Sequence, residues 1–295
     1  MSNLILVATP LGNMGDISPR AIEALTHMGD ISPRAIEALT HAGLVCCEDT
    51  RRTGLLLHNL GIAATLMRVD DHTEHASIPR VLDALNEGRD VCLVTDAGTP
   101  GISDPGSRLV RAAIDAAHNV SAIPGPAALI MALIISGLPT DRFIFDGFIA
   151  RSGQERAAHI NELALQRRTV ILYEAPHRLH RTLVDLSVAC GPERQVALCR
   201  ELTKIHEEVW RGTLGEAVGH YGTNEPQGEF VLVLHGAPDA PPPTADDIDR
   251  LLIAELAGGA SSKDAATAVA LILGVPKKSA YNRAVEIANS RKIAD

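Results

Sequence analysis

The chain has 295 residues, of which 46% are hydrophobic and only 3% are aromatic. This length suits two domains, or one large domain with an appendage. The interior must be filled by Ala, Val, Leu and Ile, as in parallel sheets that are buried on both faces. The formal net charge of −9 argues against non-specific nucleic-acid binding over the whole surface, so any basic surface must be local.

Cysteine and histidine spacing gives no indication of a metal site. The five cysteines mostly lie in apolar runs, where a reduced thiol behaves as a small hydrophobic side chain, and no Cys/His cluster has zinc spacing. The segment Ser2 to Ala8 lacks the basic start of an export signal, and the apolar run Ala127 to Ile135 is too short to cross a bilayer. We therefore expect a cytoplasmic protein without a metal, a disulfide or a membrane contact.

The first half of the chain alternates predicted strands with predicted helices. The strands are short apolar runs that end in Gly-, Pro- or Asp-containing turns, and the segments between them have helical periodicity. The predicted strands are Leu4 to Ala8, Leu44 to Cys47, Val91 to Val94 and Val120 to Ile123, and the predicted helices include Ser77 to Asn86, Ser107 to Ala117 and Ala127 to Ser136. Repeated strand–turn–helix units imply a parallel, doubly wound α/β sheet.

A perfect repeat interrupts this alternation, because Met14 to His27 recurs unchanged as Met28 to His41. Such identity is typical of a recent tandem duplication or a sequencing accident rather than of diverged solenoid repeats. Each copy contains Ser-Pro, an N-cap followed by proline at the first helical position, so we expect two short helices. We predict that the first copy stays with the loop Pro10 to Gly15 and that the second copy is the insertion.

The second half begins at a predicted domain joint, Gly137 to Arg142. The predicted strands are Phe143 to Phe148, Thr169 to Tyr173, Gln195 to Cys199 and Phe230 to Leu234, with helices near Arg156 to Gln166 and His177 to Ala189. A proline-stiffened linker follows. We place an N-terminal α/β domain at 1–136, a C-terminal α/β domain at 137–236, the linker at 237–243 and a helical tail at 244–295.

The tail has the pattern of a helix-turn-helix. An alanine-rich helix, Ser262 to Leu273, is followed by Gly274 to Pro276 and a second helix, Lys277 to Asn289, which carries Tyr281. A basic helix with one aromatic residue suits nucleic-acid contact, and the candidate RNA-binding residues here are Lys277, Lys278 and Arg283. A solvated hairpin that packs on the core or on a dimer partner is an equally good interpretation.

Three Gly- or Pro-rich turns follow predicted parallel strands, at Pro10, at Asp96 and at Pro124. Because parallel strands end at the same edge of a sheet, these turns should converge there, where open α/β sheets bind ligands. None matches the GxGxxG fingerprint or a P-loop, so neither a nicotinamide dehydrogenase nor an NTPase is favoured. The turns favour an adenosine-bearing ligand that is held mainly by backbone groups.

The chain resembles the tetrapyrrole-methylase superfamily, and most closely the branch that methylates the ribose 2′-hydroxyl of a cytidine in the decoding region of 16S ribosomal RNA. The segments that carry the resemblance are TPLGNMGDISPRA at 9–21, CEDTRRTGLLL at 47–57, VTDAGTPGISDPG at 94–106, IPGPAALIMAL at 123–133, SGLPTDRFIFDGF at 136–148, LYEAPHRL at 172–179 and RELTK at 200–204. They cover nearly the whole chain in the expected order, and the repeat is the clear departure.

This resemblance implies an enzyme with two α/β domains and S-adenosylmethionine bound in the cleft between them. It also implies a homodimer that acts on 16S rRNA or the small ribosomal subunit. By residue match, the cofactor would be surrounded by Pro10, Leu11, Gly12, Asp96, Ala97, Gly98, Thr99, Ile102, Pro126, Ala127 and Ala128.

Methyl transfer to a ribose hydroxyl depends on in-line alignment, and a nearby base would help because the hydroxyl is a weak acid. Polar clusters at predicted strand ends supply the catalytic candidates, which are Glu48, Asp49, Arg51, Glu174, His177, Glu201 and Lys204. Structural ion pairs explain these clusters about as well. The basic members Arg51, Arg178, Arg200 and Lys204 are also candidates for binding RNA phosphates.

Two other functions stay open at this point. One is methylation of a corrin or porphyrin ring, or of a modified protein side chain, by an enzyme of the same superfamily. The other is a nucleic-acid-binding regulator whose α/β part only senses a ligand. Methyl incorporation into 30S subunits would separate both from the rRNA methyltransferase.

Overall fold

The computed structural model describes residues 2–9, 31–222, 226–238 and 243–294, with side chains described up to 289. The loop Pro10 to Gly15 and the first copy of the repeat therefore lie outside the described residues. The chain divides into two compact units, Met1–Ala237 and Pro238–Asp295. The first unit contains two five-stranded sheets, and the second is helical.

The first sheet is parallel throughout, as predicted. Its strands are β1 (Asn3–Val7), β2 (Leu44–Cys47), β3 (Leu66–Arg68), β4 (Val91–Leu93) and β5 (Asn119–Ile123), in the order β3-β2-β4-β1-β5. Its helices are α1 (Pro33–His41), α2 (Thr50–Asn59), α3 (Glu74–Asn86), α4 (Ser107–Asp115) and α5 (Ala128–Ser136). Alternate residues of β2 enter different cores, since Leu44 and Cys46 pack in one cluster and Val45 and Cys47 in another. This alternation confirms a sheet covered on both faces.

The second copy of the repeat supplies a helix of this sheet. Ser32 caps α1, accepting a hydrogen bond from the Ala35 N–H at 3.2 Å, and Pro33 is its first residue. Ile31, Ala35 and Leu39 are buried in the core beside β1 and β2. The prediction that the second copy is the insertion was therefore wrong, because its apolar stripe fills the space against the sheet.

The second sheet is mixed rather than parallel. Its strands are β6 (Phe143–Phe148), β7 (Thr169–Glu174), β8 (Gln195–Arg200), β9 (Glu208–Thr213) and β10 (Phe230–Leu234), in the order β6-β7-β10-β8-β9, and its helices are α6 (Gly153–Leu165), α7 (Pro176–Cys190) and α8 (Leu214–His220). Only β6 and β7 are parallel. Within the described residues, β3, β9, α2 and α8 are the elements of this unit that the sequence analysis missed.

Helix α5 links the two sheets, because it follows a strand of the first sheet and packs against the second. It follows β5 of the first sheet, yet its Leu129, Ala132 and Leu133 pack in one cluster with Ile171 and Val231 of the second sheet. The helix is apolar on nearly all sides, which is typical of a buried element. The N-terminus of α5 is therefore fixed relative to both sheets.

The second unit is a three-helix bundle formed by α9 (Ala245–Ala257), α10 (Ser262–Leu273) and α11 (Lys277–Ala294). Leu252, Val269 and Ile287 are among its buried core residues. Gly274 adopts the left-handed conformation (φ +66°) that ends α10, as expected for a glycine after a helix. The predicted helix-turn-helix is confirmed, and no described helix is long and apolar enough to span a membrane.

We predict that Leu39→Ala lowers the free energy of unfolding by about 2–5 kcal/mol, the usual loss for truncating a buried leucine. The matched control is Glu37→Ala on the exposed face of the same helix, which should change stability by less than about 0.5 kcal/mol. Denaturant unfolding measures both. Equal stability of the two variants would contradict the placement of the second copy on the sheet.

Candidate active site

The turns after β1, β4 and β5 meet at one edge of the first sheet, as the sequence predicts. Thr9 and Gly98 pair through two backbone hydrogen bonds of 2.8 and 2.9 Å, and the Thr9 hydroxyl donates to the Thr95 carbonyl at 3.0 Å. The Thr99 hydroxyl donates to the Pro126 carbonyl at 2.9 Å. The three turns are thus tied together by backbone and threonine-hydroxyl hydrogen bonds.

Glycine is required where the β1 and β5 turns touch. A Cβ atom on Gly125 would lie only 2.7 Å from the Cβ atom of Ala8, which no packing adjustment of that short side chain could relieve. This close approach keeps the turns together at the sheet edge.

A cavity of about 470 Å³ opens against these turns, with walls from both sheets. Of the predicted cofactor-binding residues, those on its wall are Asp96, Ala97, Gly98, Thr99, Ile102, Ala127 and Ala128. Pro126 lies next to the cavity through its bond with Thr99, while Pro10, Leu11 and Gly12 lie outside the described residues. The volume is in the range of pockets for cofactor-sized ligands.

The chemistry of this wall fits S-adenosylmethionine. Ala97, Gly98 and Ala128 keep the backbone accessible, and α5 begins in the cavity without a side-chain cap, which leaves N–H groups of its first turn for a ligand carboxylate. Ile102 and Val231 offer apolar surface for an adenine. Carboxylates on the wall complement the positive charges of the amino and sulfonium groups.

Three acidic residues from the turns of the first sheet face the cavity. Burial raises the pKa of Asp96, although Arg52, 3.2 Å from its Oδ2 atom, opposes this. Burial raises the pKa of Asp104 to about 6, with the hydroxyl of Thr95 opposing the shift and the charges of Glu48 and Asp96 adding to it. Burial and neighbouring carboxylates also raise the pKa of Glu48.

Asp49, the residue after Glu48, makes contacts that are typical of a structural residue. Its carboxylate caps α2 by accepting the Arg51 N–H at 2.8 Å, and it binds the Arg51 guanidinium at 2.7 Å. The hydrogen bonds from Arg51 hold the pKa of Asp49 far below its usual range. Asp49 is therefore a poor proton acceptor, and Arg51, with 90% of its side chain exposed, lies outside the cavity wall.

Glu174 lies on the cavity wall but is enclosed by its own partners. It accepts the Ala175 N–H at 2.9 Å and the Thr182 hydroxyl at 2.5 Å, and it pairs with Arg178 at 3.2 Å. Arg178 also donates to the Ile149 carbonyl. These contacts favour the structural interpretation for both residues, while His177 is exposed nearby.

The third cluster is also held by internal bonds. The Lys204 ammonium lies 3.0 Å from Glu201 and 2.9 Å from Glu229, the latter a residue of the cavity wall. Burial alone would raise the pKa of Glu201, but the Glu229 N–H and Lys204 outweigh it and lower that pKa. Arg200 donates to the Gln227 carbonyl at 2.7 Å and pairs with Glu208. Lys204 reaches the cavity only through Glu229.

Several residues of the wall were not singled out from the sequence, among them Thr95, Ser103, Asp104, Phe148, Tyr173 and Glu229. Asp104 had a signal, because it begins the Asp-Pro-Gly that ends the long turn after β4. That turn is held by Glu74, whose buried carboxylate accepts the N–H groups of Gly106, Arg108 and Leu109 at 2.9–3.0 Å. Nothing in local sequence indicates such a distant partner.

In the tail, two of the three predicted RNA-binding residues are available. Lys277 and Lys278 are exposed at the start of α11, and Tyr281 is 44% exposed one turn later. Arg283 instead binds both oxygens of Asp249 at 2.7 and 2.6 Å. This bidentate pair fastens α11 to α9, so a structural role is favoured for Arg283.

Protein-family models match both units. The model described as Tetrapyrrole (Corrin/Porphyrin) Methylases matches residues 25–218, and the model described as RsmI C-terminal HTH domain matches residues 242–288.

The chain is similar over nearly its full length to proteins named ribosomal RNA small subunit methyltransferase I. It is 42% identical over 289 residues to that of Synechocystis sp., covering 97% of this chain and 99% of that protein. It is 41% identical to that of Mycobacterium tuberculosis strain H37Rv, covering 90% and 88%, and 39% identical to that of Escherichia coli O157:H7, covering 96% and 94%.

Solved structures share the fold at lower identity. The uroporphyrin-III-C-methyltransferase of Thermus thermophilus superposes with a TM-score of 0.55 at 21% identity, covering 80% of this chain and 94% of that chain. The cobalt precorrin-4 methyltransferase superposes with a TM-score of 0.58 at 15% identity, covering 79% and 94%. The predicted tetrapyrrole-methylase architecture is confirmed.

We predict that Asp104 titrates near pH 6, above the ordinary aspartate value of about 4. Glu48→Gln should lower the pKa of Asp104, because it removes a neighbouring negative charge that disfavours ionisation. Carboxyl ¹³C shifts measured against pH report both values, with Asp104→Asn assigning the signal. Glu87→Gln, an exposed pair partner of Arg89, is the control. Titration of Asp104 near pH 4 would refute the prediction.

Proposed function

Because the chain belongs to the tetrapyrrole (corrin/porphyrin) methylase family, and within it to the ribosomal RNA small subunit methyltransferase I group, we propose that it methylates the ribose 2′-hydroxyl of a cytidine in the decoding region of 16S rRNA. The activity depends on S-adenosylmethionine. The observation that carries the proposal is the cavity at the carboxyl edge of the first sheet, whose wall combines small residues, apolar surface and carboxylates.

When bound, S-adenosylmethionine supplies an electrophilic methyl group on a sulfonium. The turns at Thr9, Asp96 and Pro126 are joined by backbone and hydroxyl hydrogen bonds, so they form a rigid cradle. Rigid positioning is the main contribution that a protein makes to a displacement of this kind. The reactants lose their translational and rotational entropy on binding, so this loss no longer adds to the barrier of the reaction. We assign that task to the seven wall residues matched from the sequence.

Asp104 is the best-placed proton acceptor for the ribose hydroxyl. It lies on the cavity wall, and no ion pair neutralises it within the described residues. Its pKa of about 6 leaves it ionised at neutral pH while making it a stronger base than an ordinary carboxylate. Asp96 is instead paired with Arg52, and Glu48 remains the second candidate. The proton would pass from the 2′-hydroxyl to a carboxylate oxygen of Asp104.

The tail distinguishes this function from methylation of a tetrapyrrole. The alignments with the solved tetrapyrrole-type structures cover about 80% of this chain, whereas those with the ribosomal relatives cover 90% or more of it. Lys277 and Lys278 on α11 give the tail an exposed basic face suited to RNA phosphates. A regulator without transferase activity is not favoured, because the full-length relatives are named as methyltransferases.

A homodimer in the cytoplasm is part of the proposal. Ile130 and Ile134, one turn apart on α5, are 43% and 66% exposed, and β5, the strand before α5, is an edge strand of the first sheet in the described part of the chain. Exposed apolar side chains and open strand edges are features that a second copy of the same chain can cover. Ribosomal RNA as substrate favours the cytoplasm.

We predict transfer of labelled methyl groups from S-adenosylmethionine to 16S rRNA in unmethylated 30S subunits, with a rate that falls as pH drops through about 6. The sign follows because protonated Asp104 cannot accept a proton. Asp104→Asn should lower kcat about 100-fold or more and abolish this pH dependence, while calorimetry shows retained cofactor binding. Asp141→Asn, on an exposed loop, is the control. No transfer by the unaltered enzyme would refute the function, and an unchanged pH profile would refute Asp104 as the base.

We predict that Lys277→Ala with Lys278→Ala weakens binding to 30S subunits without changing the affinity for S-adenosylmethionine. Each lost phosphate contact should reduce the slope of log affinity against log salt concentration by about one. Lys263→Ala, an exposed lysine elsewhere in the tail, should leave the slope unchanged. Identical salt slopes for the double variant and the unaltered chain would contradict an RNA contact at α11.

A further inference from the structure

Phe148 is an exposed aromatic side chain at the mouth of the cofactor cavity. In a chain with four phenylalanines, this one is 50% exposed and lies on the cavity wall. Its ring is supported by Tyr173, edge to face, with 5.7 Å between ring centroids. The support leaves much of the Phe148 ring open to solvent, where a planar group could stack on it.

An irregularity in the backbone of β6 sets the direction of the Phe148 side chain. The pairing of β6 with β7 slips between Phe145 and Phe148, and Gly147 within the slip adopts a left-handed conformation (φ +63°). Such bulges redirect a side chain and are frequent beside active sites. Gly147 also lies against the turn after β4, since its Cβ position is 3.6 Å from the Ser103 hydroxyl.

A second cavity, of about 660 Å³, lies on the other side of Phe148 and shares Phe148 and Ala175 with the first. Its wall carries His177 and no acid, and its charged residues are four arginines: Arg151, Arg156, Arg178 and Arg181. We call this cavity the arginine groove. Because the arginine groove borders the cofactor cavity at Phe148 and Ala175, a polyanion bound in it would lie next to that cavity.

Two arginines of the groove are committed to the fold. Arg156 is buried and binds Asp185 at 2.7 Å, and Arg178 is bound to Glu174 and the Ile149 carbonyl. The other two are available. Arg151 is exposed and makes no hydrogen bond or ion pair within the described part of the chain, and Arg181 is 63% exposed with Asp185 only at 3.8 Å.

The opposite side of the cofactor cavity has the reverse charge. A third depression, sharing Glu48 and Asp96 with that cavity, is lined by five acids and two arginines. Both arginines are already paired, Arg51 with Asp49 and Arg68 with Asp70, at 2.7 Å each. The net negative charge of this depression would repel phosphates, which favours the arginine groove as the surface for an RNA backbone.

We propose that the base of the target nucleotide stacks on Phe148 while phosphates beside it bind Arg151 and Arg181. This inference rests on the proposed function and adds its RNA-binding residues. A ribose hydroxyl can reach a recessed methyl donor only if its nucleotide leaves the RNA stack, as in other enzymes that act on single nucleotides. An aromatic platform replaces the lost stacking regardless of base identity, and the two guanidiniums fix the backbone on either side.

The test is the steady-state kinetics of methyl transfer to unmethylated 30S subunits, combined with calorimetry of S-adenosylmethionine binding. Phe148→Leu keeps an apolar side chain but removes the ring, and it should raise KM for subunits or lower kcat/KM about 10-fold or more. Phe148→Trp should retain activity because it keeps a stacking surface. The affinity for S-adenosylmethionine should be unchanged in both variants.

Matched controls separate stacking from general damage. Phe143→Leu alters a phenylalanine at the start of the same strand, which is 36% exposed and outside both cavity walls, and it should leave the kinetics unchanged. Arg151→Gln with Arg181→Gln should reduce the salt slope of subunit binding by about two, one for each phosphate contact. Arg167→Gln, exposed on another loop, should not.

The outcomes distinguish this inference from the function on which it rests. If the unaltered enzyme transfers no methyl group to 16S rRNA, the proposed function fails. If it does, but Phe148→Leu has unaltered KM and kcat/KM, the stacking platform is refuted. Weakened S-adenosylmethionine binding by Phe148→Leu would also refute it, since the ring would then belong to the cofactor site.

Discussion

The two backbone hydrogen bonds between Thr9 and Gly98 are the constraint on which the site depends. They join the turn after β1 to the turn after β4 across the edge of a parallel sheet. In a parallel sheet, the turns that follow the strands all lie at that edge, but proximity alone would leave three flexible loops. The pairing, together with the Thr99 bond to Pro126, makes a single cradle whose shape does not depend on long side chains.

Two buried glutamates, Glu74 and Glu174, hold backbone segments beside the cavity wall in place. Glu74 holds the N–H groups that follow the Asp104 turn, and Glu174 holds the strand end that leads into α7. A buried carboxylate is costly unless its oxygens are fully bonded, and then it makes the local structure rigid. The same bonds occupy the oxygens of Glu174, so its contacts are those of a structural residue. The proton acceptor that we propose, Asp104, is a different acid.

Much of the fold followed from local sequence, and the reasons for the failures are physical. β2, β6, β10 and α10 match their predicted bounds, because each is a strongly apolar or periodic run between clear breakers. The three-residue β3 and the half-exposed β9 carry too little apolar pattern to be recognised. The wrong choice between the two repeat copies has a similar cause, since identical sequences have identical propensities.

The sequence predicted that the turns would converge, and the family resemblance supplied the individual candidate residues. Asp96, Gly98 and Ala128 do line one cavity, because the turns after parallel strands lie at the same edge of the sheet. The surroundings of each acid depend on partners that local sequence does not reveal, such as Glu48, whose charge raises the pKa of Asp104, or Thr182, whose hydroxyl donates to Glu174. The sequence shows only that Arg283 and Lys277 are both basic. It does not show that Arg283 is paired with Asp249 whereas Lys277 is exposed.

The seating of the second repeat copy against the sheet means that this scaffold tolerates changes in chain length just before α1. Thr9 and Ile31 are anchored, so the 21 residues between them replace the seven that would remain without the duplicated stretch. For an unconstrained connection, tripling the length costs only about 1 kcal/mol in closure entropy. A slippage event in the gene can therefore lengthen this connection while Pro33–His41 still supplies the helix that packs on the sheet.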